Sequence, residues 1–331
     1  MSSIAICIPV YNDWDSIKLL LPRIDRVAGE IADTIDVLIV EDGSEPADLS
    51  AVAACCQSLG TVATLRLRRN LGHQRAITIG LTHLFSASVH DVVVVMDGDG
   101  EDQPEDVPQL LARCREHAGT HVVFAARSKR TEGFIFRCGY AAYRALHRLL
   151  VGRRVEVGNF SAVPRAALAR IVSVSESWNH YAAAVHHARI PVDSIPIARG
   201  CRLAGQSRMN FVSLVVHGLS AISVYSDVVG VRILMLIAML MGLCGGGILV
   251  IIAIRLYTAL AIPGWATMAS GILLVNLLNL AVLGSVLTLF TLRSRNEYAF
   301  LPIRDYEHFI LDKQTWKATT NISSRPRTRA R

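Results

Sequence analysis

Two long uncharged stretches near the C-terminus constrain this chain more than any other feature of its sequence. They run over residues 233–254 and 266–292, and the short link between them contains Pro263-Gly264. About 20 apolar residues cross the hydrocarbon core of a bilayer as a helix, so each stretch is long enough to span a membrane. The sequence therefore predicts two transmembrane helices joined as a hairpin. A pair of buried helices in a soluble core is the alternative.

The positive charges around these stretches predict which side faces the cytoplasm. Arg232, Arg293 and Arg295 lie at one end of the hairpin, whereas the connecting loop carries Arg255. Cytoplasmic flanks of membrane spans are enriched in Lys and Arg. The tail has no acid after Asp312 and adds these basic residues: Lys313, Lys317, Arg325, Arg327, Arg329 and Arg331. We therefore expect a multi-pass protein of the cell (inner) membrane, with the N-terminal part and the tail both cytoplasmic.

Composition excludes several other classes of protein. The chain is 52% hydrophobic and 18% charged, which excludes an intrinsically disordered chain. The net charge of +7 comes mainly from the hairpin flanks and the tail, so anionic lipid headgroups explain it more directly than a nucleic-acid partner. Seven cysteines without CxxC spacing favour a reducing compartment over a disulfide framework or a zinc site. The first fifteen residues lack a charged segment and a long apolar segment, so we expect no signal peptide.

Before the hairpin, short apolar runs alternate with amphipathic patterns. The predicted strands are residues 4–10, 37–40, 62–67, 92–96, 122–125 and 157–163. The predicted helices are residues 16–28, 47–57, 74–85, 105–116 and 136–150. Continuous apolar strands alternating with helices indicate an α/β domain whose sheet is covered on both faces. We expect this domain over residues 1–210, an amphipathic juxtamembrane helix over 211–230, the hairpin over 231–293, and a basic tail over 294–331 that is mobile beyond Lys313. The helix at 211–230 lies along the bilayer or packs on the globular domain.

The acidic segment after the fourth predicted strand is the first candidate for chemistry. It contains Asp97, Gly98, Asp99 and Glu101, and no Lys or Arg balances its acids. Mg²⁺ and Mn²⁺ prefer carboxylate oxygens and are often shared with substrate phosphates. Ligands of such α/β sheets bind at the carboxyl ends of the strands, where this segment lies. The alternative is a solvated acidic loop that caps the following helix.

Two further strand ends carry polar or aromatic residues. Pro9, Tyr11 and Asp13 end the first strand, and Val40 and Asp42 end the second. An aromatic ring can stack on a nucleotide base, and a carboxylate can accept hydrogen bonds from base or ribose. Ordinary turn and helix-cap chemistry is the alternative at each end. Three polar strand ends that converge on one cleft favour a ligand site.

Five motifs in this order resemble a known enzyme family. They are IPVYND, VEDGS, RRNLG, MDGDGED and RGCRLAGQSRMN. The series resembles family 2 glycosyltransferases of the GT-A fold, which is Rossmann-like with a mostly parallel sheet, and extends over residues 4–312. More narrowly, it resembles the polyprenyl-phosphate branch, that of bactoprenol glucosyltransferase and dolichol-phosphate mannosyltransferase. The resemblance implies that a sugar is transferred, with inversion, from a UDP- or GDP-sugar to undecaprenyl or dolichyl phosphate, and that Mg²⁺ or Mn²⁺ is the cofactor. It also implies a role in the synthesis of cell-envelope glycans and self-association as a homo-oligomer.

The resemblance also implies a role for individual residues. The positions that match nucleotide contacts are Pro9, Tyr11, Asp13, Val40 and Asp42, and those that match the donor and metal site are Asp97, Gly98 and Asp99. Asp99 is then the principal metal ligand, and Glu101 adds a third oxygen where relatives often have Gln. Arg127 matches an arginine near the donor. Arg202 and Arg208 match a basic pair that stabilises the charge growing on the departing diphosphate, with contact to lipid headgroups as the alternative.

One position departs from the family pattern. Many relatives have Asp-Phe-Arg where this chain has Asn159-Phe160-Ser161, and Asn cannot act as a general base. A lipid phosphate is already anionic near neutral pH, so transfer does not require that base, although the change could also signal a different acceptor. Two alternatives therefore stay open: transfer to another lipid or glycan acceptor, and a non-catalytic component that binds nucleotide sugar for a membrane glycan-export assembly. We expect His180 to be a packed or a surface residue, with a position facing the sugar as the alternative.

Overall fold

The computed structural model describes residues 2–127, 148–152, 158–205, 211–258, 264–296 and 300–317. The chain forms two compact units. The first consists of Met1–Cys138, Val155–Val224 and Phe300–Arg331, and the second of Gly139–Arg154 and Tyr225–Ala299. Residues 300–317, which follow the apolar helices, therefore belong to the first unit.

The first unit is built on an eight-stranded sheet. Its strands are β1 (Ser3–Val10), β2 (Thr34–Glu41), β3 (Val62–Leu67), β4 (Val92–Val95), β5 (Val122–Arg127), β6 (Ser161–Pro164), β7 (Val192–Ile197) and β8 (Ile310–Lys317). Their order across the sheet is β7-β5-β6-β4-β1-β2-β3-β8. Four neighbouring pairs are parallel, whereas β6 runs antiparallel to β4 and β5, and β8 runs antiparallel to β3. The mostly parallel sheet predicted from the apolar runs is therefore confirmed.

Helices cover both faces of this sheet. One face carries α1 (Trp14–Glu30), α2 (Ser50–Cys55) and α4 (Val107–Glu116), and the other carries α3 (His73–Ala87), α5 (Arg165–Ile171) and α6 (Tyr181–His187). Successive side chains of a strand point to opposite faces. In β1, Ile4 and Ile6 accordingly pack in the first core, whereas Ala5 and Cys7 pack in the second. Both cores are apolar, which is why these strands read as continuous hydrophobic runs.

The strand β8 contradicts the expectation of a mobile tail beyond Lys313. It pairs with β3 as far as Lys317, and Trp316 Nε1 donates a hydrogen bond to Thr64 Oγ1 at 2.8 Å. The expectation is wrong for residues 314–317. The sequence shows no apolar run there, because an edge strand is held by backbone hydrogen bonds to its neighbour and most of β8 is exposed.

The second unit contains two long apolar helices, α8 (Ser226–Tyr257) and α9 (Trp265–Asn296), while α7 (Phe211–Ser223) and the short α10 (Pro302–Asp305) belong to the first. Of the helices in the described ranges, two are long and apolar enough to cross a membrane. The first covers Ser226–Tyr257, with a mean hydropathy of 2.6, and the second covers Trp265–Arg293, with a mean hydropathy of 2.2. Only 11% of the apolar stretch of the first helix and 0% of that of the second are buried, unlike the core helices of a soluble protein.

The helix expected over 211–230 ends at Ser223. Most of the helix expected over 136–150 lies outside the described residues.

Candidate active site

The carboxyl ends of β1, β2 and β4 meet at one edge of the sheet. Val10 at the end of β1 lies in register with Glu41 at the end of β2, and Cys7 of β1 lies in register with Val95 of β4. Loops that leave neighbouring parallel strands at the same edge form the usual cleft of such folds. The acidic segment 97–102 and the first-strand loop 11–13 therefore lie on the same side of the domain.

The acidic loop is held in a tight turn by its own carboxylates. The backbone N–H of Asp97 donates to Asp102 Oδ2 at 3.0 Å, and the N–H of Glu101 donates to Asp99 Oδ1 at 3.0 Å. Gly98 lies against the core, since a Cβ there would be 3.0 Å from Ile17 Cδ1. The residue between the two aspartates must therefore be small for the loop to follow β4 so closely.

Arg202 lies between two of the predicted carboxylates. Its Nη1 is 3.2 Å from Asp99 Oδ2, its Nη2 contacts Asp13 Oδ2, and its Nε donates to the carbonyl of Ala204 at 2.8 Å. Asp13 is fixed in turn by Ser16, whose Oγ donates to Asp13 Oδ1 at 2.7 Å. The structure thus brings together three residues that sequence reasoning placed in the site from distant parts of the chain.

Arg199 is a site residue that the sequence reasoning missed. It forms an ion pair with Glu101, and the loop that carries it is hydrogen-bonded to the acidic loop. The N–H of Gly200 donates to the carbonyl of Glu101 at 2.8 Å, and the N–H of Leu203 donates to the carbonyl of Asp99 at 2.9 Å. Arg199 opens the same motif as Arg202, so its position in that motif was the available signal.

His73 and Gln74, which the sequence reasoning also missed, connect Asp97 to Asn159. His73 Nε2 lies 3.1 Å from Asp97 Oδ1 and 3.0 Å from Asn159 Nδ2. Gln74 Nε2 donates to Asn159 Oδ1 at 3.1 Å, and Gln74 Oε1 accepts from the N–H of Tyr181 at 2.8 Å. Asn159 therefore lies beside the acidic loop, in contact with Gln74 and His73, at the position where many relatives have a carboxylate.

Electrostatics around the two aspartates favour a bound cation. Burial and the neighbouring carboxylate of Asp97 raise the pKa of Asp99, while Arg202 and Arg199 act in the opposite direction. Two carboxylates that repel each other, together with oxygens from a diphosphate and water, fit the preferences of Mg²⁺ or Mn²⁺. Within the part of the chain that the structure describes, no three His, Cys, Asp or Glu side chains converge as a ready metal site. Glu101 is turned to Arg199, so the set of three oxygen ligands expected from Asp97, Asp99 and Glu101 is not assembled here.

The residues expected to contact the donor nucleotide occupy different environments. Tyr11, which follows β1, is 47% exposed. Both oxygens of Asp42 accept backbone N–H groups, from Leu71 at 2.6 Å and from Gly72 at 2.8 Å. Asp42 thus fixes the 70–72 loop, and the cost of burying it raises its pKa.

Three of the remaining predicted residues also lie near this edge of the sheet, and one cannot be placed. Pro9 is buried in β1, and the Val40 side chain is fully buried against α3. Arg127 ends β5 in register with Ile197, directly before the loop of Arg199 and Arg202. Arg208 lies outside the described residues.

Two residues without a motif have structural roles. His180 is buried, so it is packed and does not lie on the surface, and its Nδ1 accepts the N–H of Ala183 at 3.3 Å at the start of α6. The ring of Trp178 lies 3.9 Å from that of Phe300 and 5.0 Å from that of Phe309, measured between centroids. These contacts attach the chain that follows the apolar helices to the first unit.

Known proteins resemble this chain in sequence. An undecaprenyl-phosphate 4-deoxy-4-formamido-L-arabinose transferase of Klebsiella pneumoniae is 27% identical over 65% of this chain, and the match spans 65% of that relative's length. The uncharacterized glycosyltransferase YkcC of Bacillus subtilis is 25% identical over 85% of this chain and 86% of its own length.

Solved structures and a family model complete the comparison. Glucosyl-3-phosphoglycerate synthase from Mycobacterium tuberculosis aligns over 69% of this chain and 80% of its own, with a TM-score of 0.50 and 16% identity. Mannosyl-3-phosphoglycerate synthase from Rubrobacter xylanophilus aligns over 68% of this chain and 73% of its own length, with a TM-score of 0.50 and 14% identity. At these identities the likeness shows the fold alone, which is GT-A as expected. The model of glycosyl transferase family 2 matches residues 5–171. The chain belongs to glycosyl transferase family 2.

Proposed function

We propose that this protein is a membrane-anchored, metal-dependent, inverting glycosyltransferase. It moves a sugar from a UDP- or GDP-sugar to a polyprenyl phosphate, undecaprenyl or dolichyl, at the cytoplasmic face of the membrane. The observation that carries the proposal is the contact of Arg202 with both Asp13 and Asp99 at the carboxyl ends of β1 and β4. A cation beside a pair of carboxylates at this edge of the sheet supports the binding of a nucleoside diphosphate and its metal ion there.

Each of these side chains has a task in that reaction. Tyr11 and Asp13 bind the nucleoside, and Arg202 and Arg199 pair with diphosphate oxygens, to which a guanidinium can donate two hydrogen bonds. A divalent ion held by Asp97 and Asp99 would neutralise the diphosphate charge. Negative charge grows on the diphosphate as the sugar departs. Groups that bind the diphosphate more tightly in the transition state than in the ground state therefore raise the rate. The M. tuberculosis structure contains Mn²⁺ and UDP, which supports this donor class and cofactor.

The acceptor assignment has two supports. The Klebsiella relative is named for undecaprenyl phosphate, and α8 and α9 are apolar enough to anchor the chain in the bilayer where such a lipid resides. A tethered enzyme meets a membrane acceptor at a high local concentration. The phosphate of the acceptor is ionised near neutral pH, so Asn159 can stand in place of a general base.

The test is direct transfer by the full-length protein reconstituted in vesicles. We expect label from one radiolabelled UDP- or GDP-sugar to enter the lipid phase when undecaprenyl phosphate and Mg²⁺ or Mn²⁺ are present. Asp99→Asn should reduce this transfer by about 10²–10³-fold. The matched control is Asp15→Asn, in the chain's other Asp-x-Asp, whose side chain is 87% exposed.

The outcomes separate the proposal from its competitors. Label in a different lipid or glycan would support the assignment as a glycosyltransferase and overturn the assignment of polyprenyl phosphate as the acceptor. No label in any acceptor with any common donor would overturn the proposal. Donor binding without turnover, together with a cellular glycan that survives Asp99→Asn, would identify a binding component instead.

A further inference from the structure

A row of three charged side chains crosses the sheet beside the strand ends of the candidate active site. Glu41 of β2 lies in register with Arg66 of β3, and Arg66 lies in register with Asp312 of β8. Residues in register on neighbouring strands have their side chains on the same face of the sheet. Arg66 Nε donates to Glu41 Oε2 at 2.9 Å, and Arg66 Nη1 donates to Asp312 Oδ2 at 3.2 Å. One guanidinium therefore joins the end of β2 to the edge strand that follows the apolar helices.

Burial makes Glu41 dependent on this contact. Its side chain is 3% exposed, whereas that of Arg66 is 26% exposed. Burial raises the pKa of Glu41, and Arg66 acts in the opposite direction. A buried carboxylate that loses its cation retains the cost of its lost hydration without compensation. Arg66 therefore stabilises the ionised form of Glu41 and fixes its position at the end of β2.

The turn that follows β2 holds the loop that follows β1. The N–H of Asn12 donates to Ser44 Oγ at 2.8 Å, and the N–H of Glu45 donates to Asn12 Oδ1 at 3.0 Å. The φ angle of Asn12 is 48°, a left-handed conformation that is uncommon for a residue with a side chain. The turn thus stabilises this conformation of the loop. Asn12 lies between Tyr11 and Asp13, the two residues proposed above to bind the nucleoside.

We infer that Arg66 is a positioning residue for the donor nucleotide, and that Asp312 of β8 holds Arg66 from the opposite side. Arg66 fixes Glu41, and the turn that follows Glu41 fixes the loop of the nucleoside-binding residues. Groups that bind a ligand need such supporting contacts, because small displacements of these groups weaken binding. The inference rests on the proposed function, since it concerns the site of the nucleotide sugar.

Arg66 should act on donor binding and not on the transfer step. The row crosses β2, β3 and β8, whereas the residues proposed to hold the diphosphate and its metal ion follow β4 and β7; they are Asp97, Asp99, Arg199 and Arg202. Loss of the Arg66 contacts should therefore raise the KM for the donor and leave kcat at saturating donor within about twofold of the wild type.

The first experiment measures binding of UDP and of GDP, each with Mn²⁺, to the full-length protein in nanodiscs by isothermal titration calorimetry. Arg66→Met should raise the dissociation constant of the nucleotide that the wild type binds on the order of tenfold. The KM of the donor in the transfer assay should rise by the same factor. Arg66→Lys, which retains the positive charge, should recover part of the affinity.

The matched control for this experiment is Arg113→Met. Arg113 also pairs with two carboxylates, those of Asp193 and Glu116. The control variant loses the same kind of contacts elsewhere in the first unit, so it should bind the nucleotide as the wild type does. Equal nucleotide binding by Arg66→Met and the wild type would overturn the inference and leave the proposed function in place.

A double variant separates positioning from stability. Arg66→Met leaves the Glu41 carboxylate buried without this cation and should lower Tm. Glu41→Gln/Arg66→Met removes both charges and should recover Tm, but its nucleotide affinity should stay low because residue 41 is no longer held by Arg66. Recovery of the affinity together with Tm would show that Arg66 only stabilises the fold, and would overturn the inference.

Asp312→Lys tests the contribution of β8. It places a like charge beside Arg66 and should weaken nucleotide binding about threefold, since an exposed ion pair contributes modestly. The control is Leu311→Lys, which adds a lysine at the neighbouring exposed position and should bind as the wild type does. Unchanged binding by Asp312→Lys would overturn the role of Asp312. A wild type that binds neither UDP nor GDP would instead overturn the donor class in the proposed function, and this inference with it.

Discussion

Arg202 Nη1 lies 3.2 Å from Oδ2 of Asp99, a carboxylate 103 residues earlier in the chain. The same guanidinium contacts Asp13, so one side chain pairs with two carboxylates in the cleft. An incoming diphosphate and its metal would compete for both partners. Arg202 is therefore expected to exchange its carboxylate contacts for diphosphate oxygens when the donor binds.

Replacing Arg202 should affect catalysis and metal binding in opposite directions. Arg202→Ala should lower sugar transfer by about 10²-fold or more, because a cation that stabilises the leaving diphosphate is lost. Mn²⁺ binding without donor, measured by electron paramagnetic resonance, should tighten, because Asp99 loses its competing cation. Arg202→Lys should recover part of the rate. Weaker Mn²⁺ binding by Arg202→Ala would show that the arginine supports the metal site instead of competing with it.

Asn159→Asp tests whether the missing carboxylate matters. Since the proposed acceptor is already ionised, restoring a potential base should change the transfer rate by less than about fivefold at pH 7.5. The variant also places a negative charge beside His73, which lies between Asp97 and Asn159. The rate is measured with undecaprenyl phosphate, and Asn159→Ser serves as the neutral control. A gain of about 10²-fold would show that a base is required.

Trp178→Ala should destabilise the first unit. The indole packs against Phe300 and Phe309, and the Arg75 guanidinium lies 5.1 Å from its ring centroid. Removing this partly buried ring should cost about 2–4 kcal/mol. The measurement is thermal unfolding of the detergent-solubilised protein. The control is Trp265→Ala at the exposed start of α9, and an equal loss of Tm in both variants would contradict the proposed attachment of residues 300–309.

His83 should make the protein less stable in mild acid. Its Nε2 is buried without a hydrogen-bond partner among the residues described, and burial, aided by Lys313, lowers its pKa from 6.5 to about 4. Between these values the unfolded chain binds a proton that the folded chain does not, so stability falls as pH falls from 6.5 towards 4.

The size of this effect can be measured by comparing Tm at pH 7 and pH 5. The histidine should account for about 1–2 kcal/mol of the loss. His83→Gln should therefore lose less Tm between these pH values than the wild type. The exposed His308 provides the control variant His308→Gln, which should behave as the wild type does. Identical pH profiles for His83→Gln and wild type would exclude His83 as the cause.

Much of the site was predictable because its residues follow strands that the sequence marks clearly. Asp13 and Asp99 come after continuous apolar runs, and parallel strands end at a common edge. The contact of Arg199 with Glu101 and the link from His73 to Asn159 were not predictable from pattern. The first depends on the loop of Arg199 meeting the acidic loop, and the second on the start of α3 meeting the segment of Asn159. These segments come together only after the sheet has formed.

The sequence by itself determined the α/β domain, the two apolar helices and the acidic loop, because hydrophobic periodicity and charge are local properties of the chain. Only the tertiary structure decided that residues 310–317 return to the sheet as β8, since an exposed edge strand is held by backbone hydrogen bonds that side-chain pattern does not encode. It also decided which cation meets which carboxylate. Such pairings depend on distances between segments far apart in the chain, and only the folded sheet sets those distances.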